Sequence, residues 1–283
     1  MIRLSVESDI KSIVSLWQEA FGDSEDEIMF FINNRYKPEN TVVCEEGGKV
    51  VSMLFLLEGQ MCIKGADYKA YYLYAACTSK EFRGRGLMAS LLDYAKETAQ
   101  SRGFKFICLK PAEESLFGFY EKHGYKSCFK QKTLTFYTRD LPEISSDLSA
   151  ISSVESDKIR DFAFSDTDYF KWDDSAIDFA FRQTELYGGK VFKVCEGYLL
   201  YSVNDGVIHV KENAFTPENL PVVMAGIARD NKADKINVIL PDNYSVKFGS
   251  VESVPSGMLL PLDLTAEKAI ENSDSAYLGL TLD

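Results

Sequence analysis

Histidine is nearly absent from this chain, with two in 283 residues, His123 and His209. That excludes multi-histidine metal sites and confines any Ser-His-Asp arrangement to one of two positions. The six cysteines (Cys44, Cys62, Cys77, Cys108, Cys128, Cys195) contain no C-x-x-C pair and sit mostly beside apolar residues. They are expected to be buried, reduced thiols of a cytosolic protein rather than a disulfide framework or zinc ligands. No apolar run approaches the roughly 20 residues that cross a bilayer. The opening segment MIRLSVESDI lacks the apolar core of a signal peptide. A cytoplasmic protein without metal or membrane partner is expected. Positive charge is also short: 31 Lys+Arg stand against 43 Asp+Glu, a net charge of −12. A nucleic-acid partner would need a cationic face to displace condensed counterions, so none is expected.

What is present is an ordinary globular composition, 46% hydrophobic and 26% charged, at a length that suits two domains. The charge is unevenly spread. Residues 1–140 hold 19 basic and 19 acidic side chains, and residues 141–283 hold 12 and 24, so the whole excess lies in the second half. A polar, Ser-rich stretch, RDLPEISSDLSAISSVESD (139–157), coincides with the change. It places a boundary near residue 145, between a first domain at 1–140 and an acidic second one at 146–283.

In the first half, Arg3–Ser5 reads as a short strand. Asp9 is a good N-cap for a helix through Trp17 and Phe21, and a second helix is expected over Glu25–Asn34. Two β-rich runs then flank Gly47-Gly48, which suits a tight hairpin, and a further apolar run covers Tyr71–Thr78. Next comes a strand–loop–helix–strand unit. Its helix shows Leu87, Leu91, Leu92, Ala95 and Ala99 on one face and is closed by Gly103, before a strand at Phe104–Leu109. Such a unit makes a right-handed crossover between parallel strands, an α/β architecture. The loop itself is Arg83-Gly84-Arg85-Gly86. A helix N-terminus exposes unpaired N–H groups and about half a positive charge. Glycines there let a ligand approach the backbone, and the two arginines add charge, a combination that suits a pyrophosphate. The loop is neither a P-loop nor the dinucleotide G-x-G-x-x-G pattern.

The segment PAEESLFGFYEKHGYKS adds a short helix with Phe119 and Tyr120, a closing Gly124 and then Tyr125. Together these residues resemble the GCN5-related N-acetyltransferase (GNAT) family. Its pyrophosphate motif, Gln/Arg-x-x-Gly-x-Gly/Ala, is matched by Arg83, Gly86 and the position of Met88. Its later motif, aromatic-Tyr-x-x-x-Gly-aromatic, is matched by Phe119, Tyr120, Gly124 and Tyr125. Two departures stand out. Met88 replaces a small residue and could narrow the approach to the pyrophosphate, and Glu113 stands where the family often has Asn.

The resemblance implies a GNAT fold, a mixed-sheet α/β domain that binds acetyl-coenzyme A as co-substrate. Ala76, Cys77 and Thr78 would line the pantetheine arm. Arg83, Gly84, Arg85, Gly86, Leu87 and Met88 would hold the pyrophosphate, with Ser115 added to the coenzyme set. Tyr120 would protonate the departing thiolate. His123 reads better as a helix-end residue, Cys77 as a buried strand residue, and Tyr71, Tyr72 and Tyr74 as packing.

The second half repeats the order helix, three-strand meander, helix, strand. A long amphipathic helix is expected from Thr167 to Tyr187. The stretch before the later helix, Lys211–Glu218, has no Gly-x-Gly and carries Glu212 and Glu218. A second, degenerate GNAT-like domain without its own coenzyme is expected. The layout is similar to acetyltransferases of the enhanced intracellular survival type, without their sterol-carrier-like domain. In that group the terminal carboxylate serves as base, and the resemblance implies Asp283 for that role. The expected reaction is acetyl transfer to a small cationic amine. A non-catalytic acyl-coenzyme A sensor and an acyltransferase for longer acyl groups are the alternatives.

Overall fold

The computed structural model describes residues 1–143, 154–245, 250–271, 273 and 275–281. The expected boundary residue, 145, and the site residue Asp283 lie outside them. Two compact units are present, and they interleave along the chain. The first comprises Met1–Met61, Asp67–Ser127 and Met258–Asn272; the second comprises Cys62–Ala66, Cys128–Gly257 and Ser273–Asp283. A single cut near residue 145 does not describe this division, because a late segment returns to the first unit.

The first unit starts with strand β1 (Ile2–Leu4), helix α1 (Ile10–Phe21) and helix α2 (Glu25–Arg35). Asp9 does not cap α1 through its side chain, contrary to expectation. Its carboxylate accepts the Val6 N–H at 2.9 Å and both Arg3 terminal nitrogens at 2.6 and 2.9 Å. The Arg3 guanidinium holds the Asp9 carboxyl below its ordinary range. The charge therefore ties β1 to the turn before the helix. Helix α2 has a complete capping box, with Ser24 Oγ accepting the Glu27 N–H and the Glu27 carboxylate accepting the Ser24 N–H. Ser24→Ala should cost about 1 kcal/mol, read as a lowered denaturation midpoint.

Strands β2 (Thr41–Glu46) and β3 (Lys49–Ile63) form a hairpin whose turn residues, Gly47 and Gly48, both have positive φ, 58° and 77°. That is the twist a two-residue hairpin needs. Strand β4 (Ala66–Thr78) follows, then α3 (Leu87–Ser101), β5 (Phe106–Leu109) and α4 (Phe117–Lys122). β4 and β5 are parallel, as the crossover requires. Helix α3 buries Leu91, Leu92, Ala95 and Ala99, the face read from the sequence.

Strand β6 (Lys126–Tyr137) leads into the second unit. There α5 (Ser156–Ala163) precedes a short strand β7 (Tyr169–Lys171) and helix α6 (Asp174–Leu186). The helix expected from Thr167 is thus two elements. Asp173 caps α6 by accepting the Ala176 N–H at 2.7 Å, and the buried aromatics Tyr169 and Phe170 before it are extended. β8 (Lys190–Val194), β9 (Gly197–Asn204) and β10 (Val207–Asn213) form an antiparallel meander. Helix α7 (Leu220–Asn231) then crosses to β11 (Lys235–Pro241), which pairs parallel with β10 and antiparallel with β6. Meander, crossover helix and parallel return strand repeat the plan of the first unit. Strand β12 (Ser250–Pro261) and helix α8 (Leu264–Ala269) come last. The end of β12, Met258–Pro261, pairs antiparallel with β5 and closes the first unit's core with Leu260 and Leu262.

Among the described residues no helix is long and apolar enough to cross a membrane. All six cysteines are free thiols; four are buried, Cys62 is half-buried and Cys195 is exposed.

Candidate functional site

The site is built where β4 outruns its neighbour. The β4–β5 ladder covers three residue pairs, Ala70–Tyr72 against Phe106–Cys108, whereas β4 continues to Thr78. Ala75 takes a left-handed backbone, φ 47°, in mid-strand. An L residue adopts that conformation only under constraint, and inside a strand it changes which side the following side chains face. The packing shows the effect. Tyr71 and Leu73 join the cluster of Leu91, Leu92 and Ala95 from α3. Tyr74 instead lies against Trp17 and Phe31 of α1 and α2, with ring centroids 5.7 and 5.2 Å away. Strict alternation would keep Ala76 with Tyr74, yet Ala76 packs against the α3 cluster. The kink lies beyond the last β4–β5 pair and directly before Ala76-Cys77-Thr78.

Cys77 and Thr78 are fixed from β3. Ser52 Oγ, fully buried, donates to the Cys77 carbonyl at 3.0 Å and lies 2.8 Å from Thr78 Oγ1. Burial pushes the Cys77 thiol up to about 12; the Glu19 carboxylate adds to the rise and Arg83 opposes it. At neutral pH it is a thiol, not a nucleophilic thiolate. Cys77→Ala should therefore leave turnover within about threefold of the parent, measured by thiol release.

The basic turn follows directly. Gly84 and Gly86 are left-handed at φ 75° and 76°, and a Cβ on either would meet nothing within 4 Å. Their constraint is conformation and the open space in front of them, not neighbouring side chains. Gly86 is the N-cap of α3, and Ser90 N–H is bonded back to its carbonyl at 3.1 Å. By helix geometry the amides before Ser90 have no intrahelical acceptor. Arg83 is turned back, its Nε on Thr78 O at 3.0 Å. Arg85 lies over the Phe82 ring at 4.7 Å, donates to Glu81 O at 3.2 Å and stands 3.8 Å from Glu46. Leu87 and Met88 pack against the hydrophobic cluster, so the methionine side chain turns toward the core.

Tyr120 lies in α4 and belongs to the same cluster as Leu91 and Leu92. Its ring meets Phe119 and Tyr125 edge-on, at centroid distances of 5.3 and 5.5 Å. The chain leaves this helix through Gly124, φ 87°, where a Cβ would stand 3.2 Å from Leu260 Cδ1. Burial pushes the Tyr120 phenol up to about 12. It stays protonated throughout the neutral range, the form a proton donor needs. His123 packs on Phe119 at 4.8 Å, as a helix-end residue. Ser115 is exposed and donates to Glu113 at 3.2 Å. Tyr71 and Tyr72 are buried, and Tyr71 stacks on Phe104 at 3.7 Å, which makes them packing residues.

The first unit thus holds a kinked parallel strand, an anion-receptive glycine turn and a buried tyrosine. Residues 1–128 match the family model described as an acetyltransferase (GNAT) domain. The first 128 residues of the chain are a GNAT domain. Solved structures with the same fold include GCN5-related N-acetyltransferases from Anabaena variabilis and Kribbella flavida. The first has a TM-score of 0.76 at 13% identity, covering 94% of this chain and 74% of its own. The second has 0.69 at 16% identity, covering 94% and 73%. Eis1 from Mycobacterium abscessus scores 0.69 at 14% identity, covering 94% and 75%. At 94% coverage these likenesses extend over both units, which gives the second unit its place in the same fold. No curated protein matches the sequence.

Sequence reasoning missed two residues of this region. Ser52 sits inside a continuous apolar strand, and Glu19 is one polar residue on the outer face of α1. Neither has a local signal, because both act on residues 25 or more positions away.

Proposed function

We propose that the chain is an acetyl-coenzyme A-dependent N-acetyltransferase for a small cationic amine. The observation that carries this is the order of parts along β4: strand kink, glycine turn and α3 N-terminus, with Tyr120 in the cluster on the same side as α3. The amides of Gly84, Arg85, Gly86, Leu87 and Met88 receive the pyrophosphate, and Arg83 and Arg85 leave their internal acceptors to pair with it. Ala76, Cys77 and Thr78 carry the pantetheine end. The amine, having given its ammonium proton to solvent, bonds through its nitrogen lone pair to the thioester carbon, and the second proton leaves that nitrogen for a base, the role the resemblance implies for Asp283. The tetrahedral oxyanion collapses, the carbon–sulfur bond breaks, and the sulfur takes a proton from Tyr120 Oη. The surplus of acidic residues in the second half attracts a cationic acceptor.

Free-thiol release with acetyl-coenzyme A and a panel of amines (1,4-diaminobutane, spermidine, lysine, an aminoglycoside, a lysine peptide) tests the reading. Amine-dependent release is expected, faster with acetyl than with longer acyl thioesters. A faster rate with a long-chain thioester would replace the acetyl donor in this account. Gly86→Ala should weaken coenzyme A binding about tenfold by calorimetry. The added Cβ enters the ligand's space, and an L residue there costs roughly 1–2 kcal/mol of backbone strain.

A further inference from the structure

One carboxylate is fixed beside the end of β4. Glu19, near the end of α1, accepts the Lys80 backbone N–H with Oε1 at 2.8 Å, across 61 residues of sequence. Lys80 is the second residue after Thr78, so the bond holds the carboxylate where β4 ends. Its charge is felt at Cys77, where it opposes ionisation of the thiol while Arg83 favours it. Two opposite charges therefore flank this strand end.

The two faces of the sheet have different occupants here. α3, Tyr120 and the cluster around Leu91 lie on one face. The coenzyme's anchor and the proton donor belong to that face. Trp17, Phe31 and Tyr74 mark the other, which carries α1 and α2. A nucleophile adds perpendicular to the thioester plane; with α3 and Tyr120 packed on one face of the sheet, the α1 side is the approach this inference takes for the amine. Two acidic residues that follow it on the chain are engaged elsewhere: Asp23 accepts Trp17 Nε1 at 2.7 Å, and Glu27 accepts from Ser24. Glu19 is exposed, and its Lys80 bond uses one of about four acceptor sites on the carboxylate.

We infer that Glu19 receives the ammonium group of the acceptor amine and sets the preference for cationic acceptors. This rests on the acyl-transfer reading above. The anchored carboxylate binds the acceptor in its ammonium form beside the end of β4, through a charge-assisted bond stronger than a neutral one. The nitrogen that attacks first gives its ammonium proton to solvent, since only the free amine has the lone pair.

The test compares the parent with Glu19→Gln and Glu19→Asp, using the best amine of the panel above. Gln keeps an oxygen for the Lys80 N–H, so the strand end is retained while the charge is lost. The KM for the amine should rise at least tenfold in Glu19→Gln, with the KM for acetyl-coenzyme A within twofold, and Glu19→Asp should recover part of the loss. Raised salt should weaken amine use by the parent more than by Glu19→Gln. An unchanged amine KM in Glu19→Gln, with an active parent, would overturn the role of Glu19 alone. Equal rises in both KM values would show a merely structural residue and overturn it too. A parent that releases no thiol with any amine would overturn the transfer reading, and this inference with it.

Discussion

Tyr120→Phe is expected to lower kcat by about 10²–10⁴-fold while coenzyme A affinity changes by less than about twofold. The phenylalanine ring keeps the edge-on contacts with Phe119 and Tyr125, so the helix and the cluster survive. Only the proton is removed. Desolvation holds the phenol up to about 12, so the parent's rate should show no loss from Tyr120 ionisation between pH 7 and 10. In the proposed reaction a sulfur expelled against the same apolar wall would be desolvated as well, which would raise its own proton affinity and narrow the gap to the phenol. Single-turnover kinetics with acetyl-coenzyme A and a saturating amine read the chemical step. Calorimetry with coenzyme A reads binding. A sensor that merely binds an acyl-coenzyme A would be indifferent to this change.

Breaking the buried ion pair of the second unit should cost about 3–5 kcal/mol, as in Arg160→Ala. Arg160 Nε meets Glu212 Oε1 at 2.8 Å with both side chains buried, and Tyr277 Oη donates to Glu212 Oε2 at 3.0 Å. Gly279, φ 65°, packs so closely that a Cβ would lie 2.6 Å from Arg160 Nη2 and 3.0 Å from Glu212 Oε2. The late segment is further held by Trp172 Nε1 on Leu280 O at 2.9 Å and by Phe170 N–H on Tyr277 O. Glu212, which the sequence marks only as a poor neighbour for a pyrophosphate, is thus the acceptor around which residues 277–279 close. Removing Arg160 strands a carboxylate in a dry interior. Replacing both charges, as in Arg160→Met/Glu212→Leu, should lose much less. The chain has two tryptophans, Trp17 in the first unit and Trp172 in the second. In a Trp17→Phe background, Trp172 fluorescence during urea unfolding follows the second unit alone. Burial pushes the phenols of Tyr277 and Tyr198 well above their ordinary value. Their contribution is fully present below about pH 10 and is lost as the pH rises through the folded-state values.

Much of the first unit was legible because its determinants are local. Gly47-Gly48 defines a hairpin by backbone freedom alone. The Arg-Gly-Arg-Gly turn and the Phe119–Tyr125 segment each place a backbone conformation and a side chain within a few residues. The order helix, three-strand meander, helix and strand was readable in the second half for the same reason. Failures came where tertiary contacts override local pattern. Thr167–Tyr187 has helical periodicity throughout, but Asp173 caps at its middle and Tyr169–Lys171 pairs as a strand. Asp9 looks like a helix cap and serves Arg3 instead. The return of Met258–Pro261 to β5 spans about 150 residues, and no local signal announces such a pairing. The left-handed Ala75 is equally invisible, since alanine, unlike glycine, asparagine or aspartate, gives no sign of positive φ.

The central claim is that the first unit transfers an acyl group from a coenzyme A thioester to an amine. Its most direct test is to follow thiol release and the mass of the amine together in one reaction with acetyl-coenzyme A. The account predicts thiol release that depends on the amine and one N-acetylated product for each thiol freed. Tight binding of acetyl-coenzyme A with no amine-dependent thiol release across the panel would contradict it.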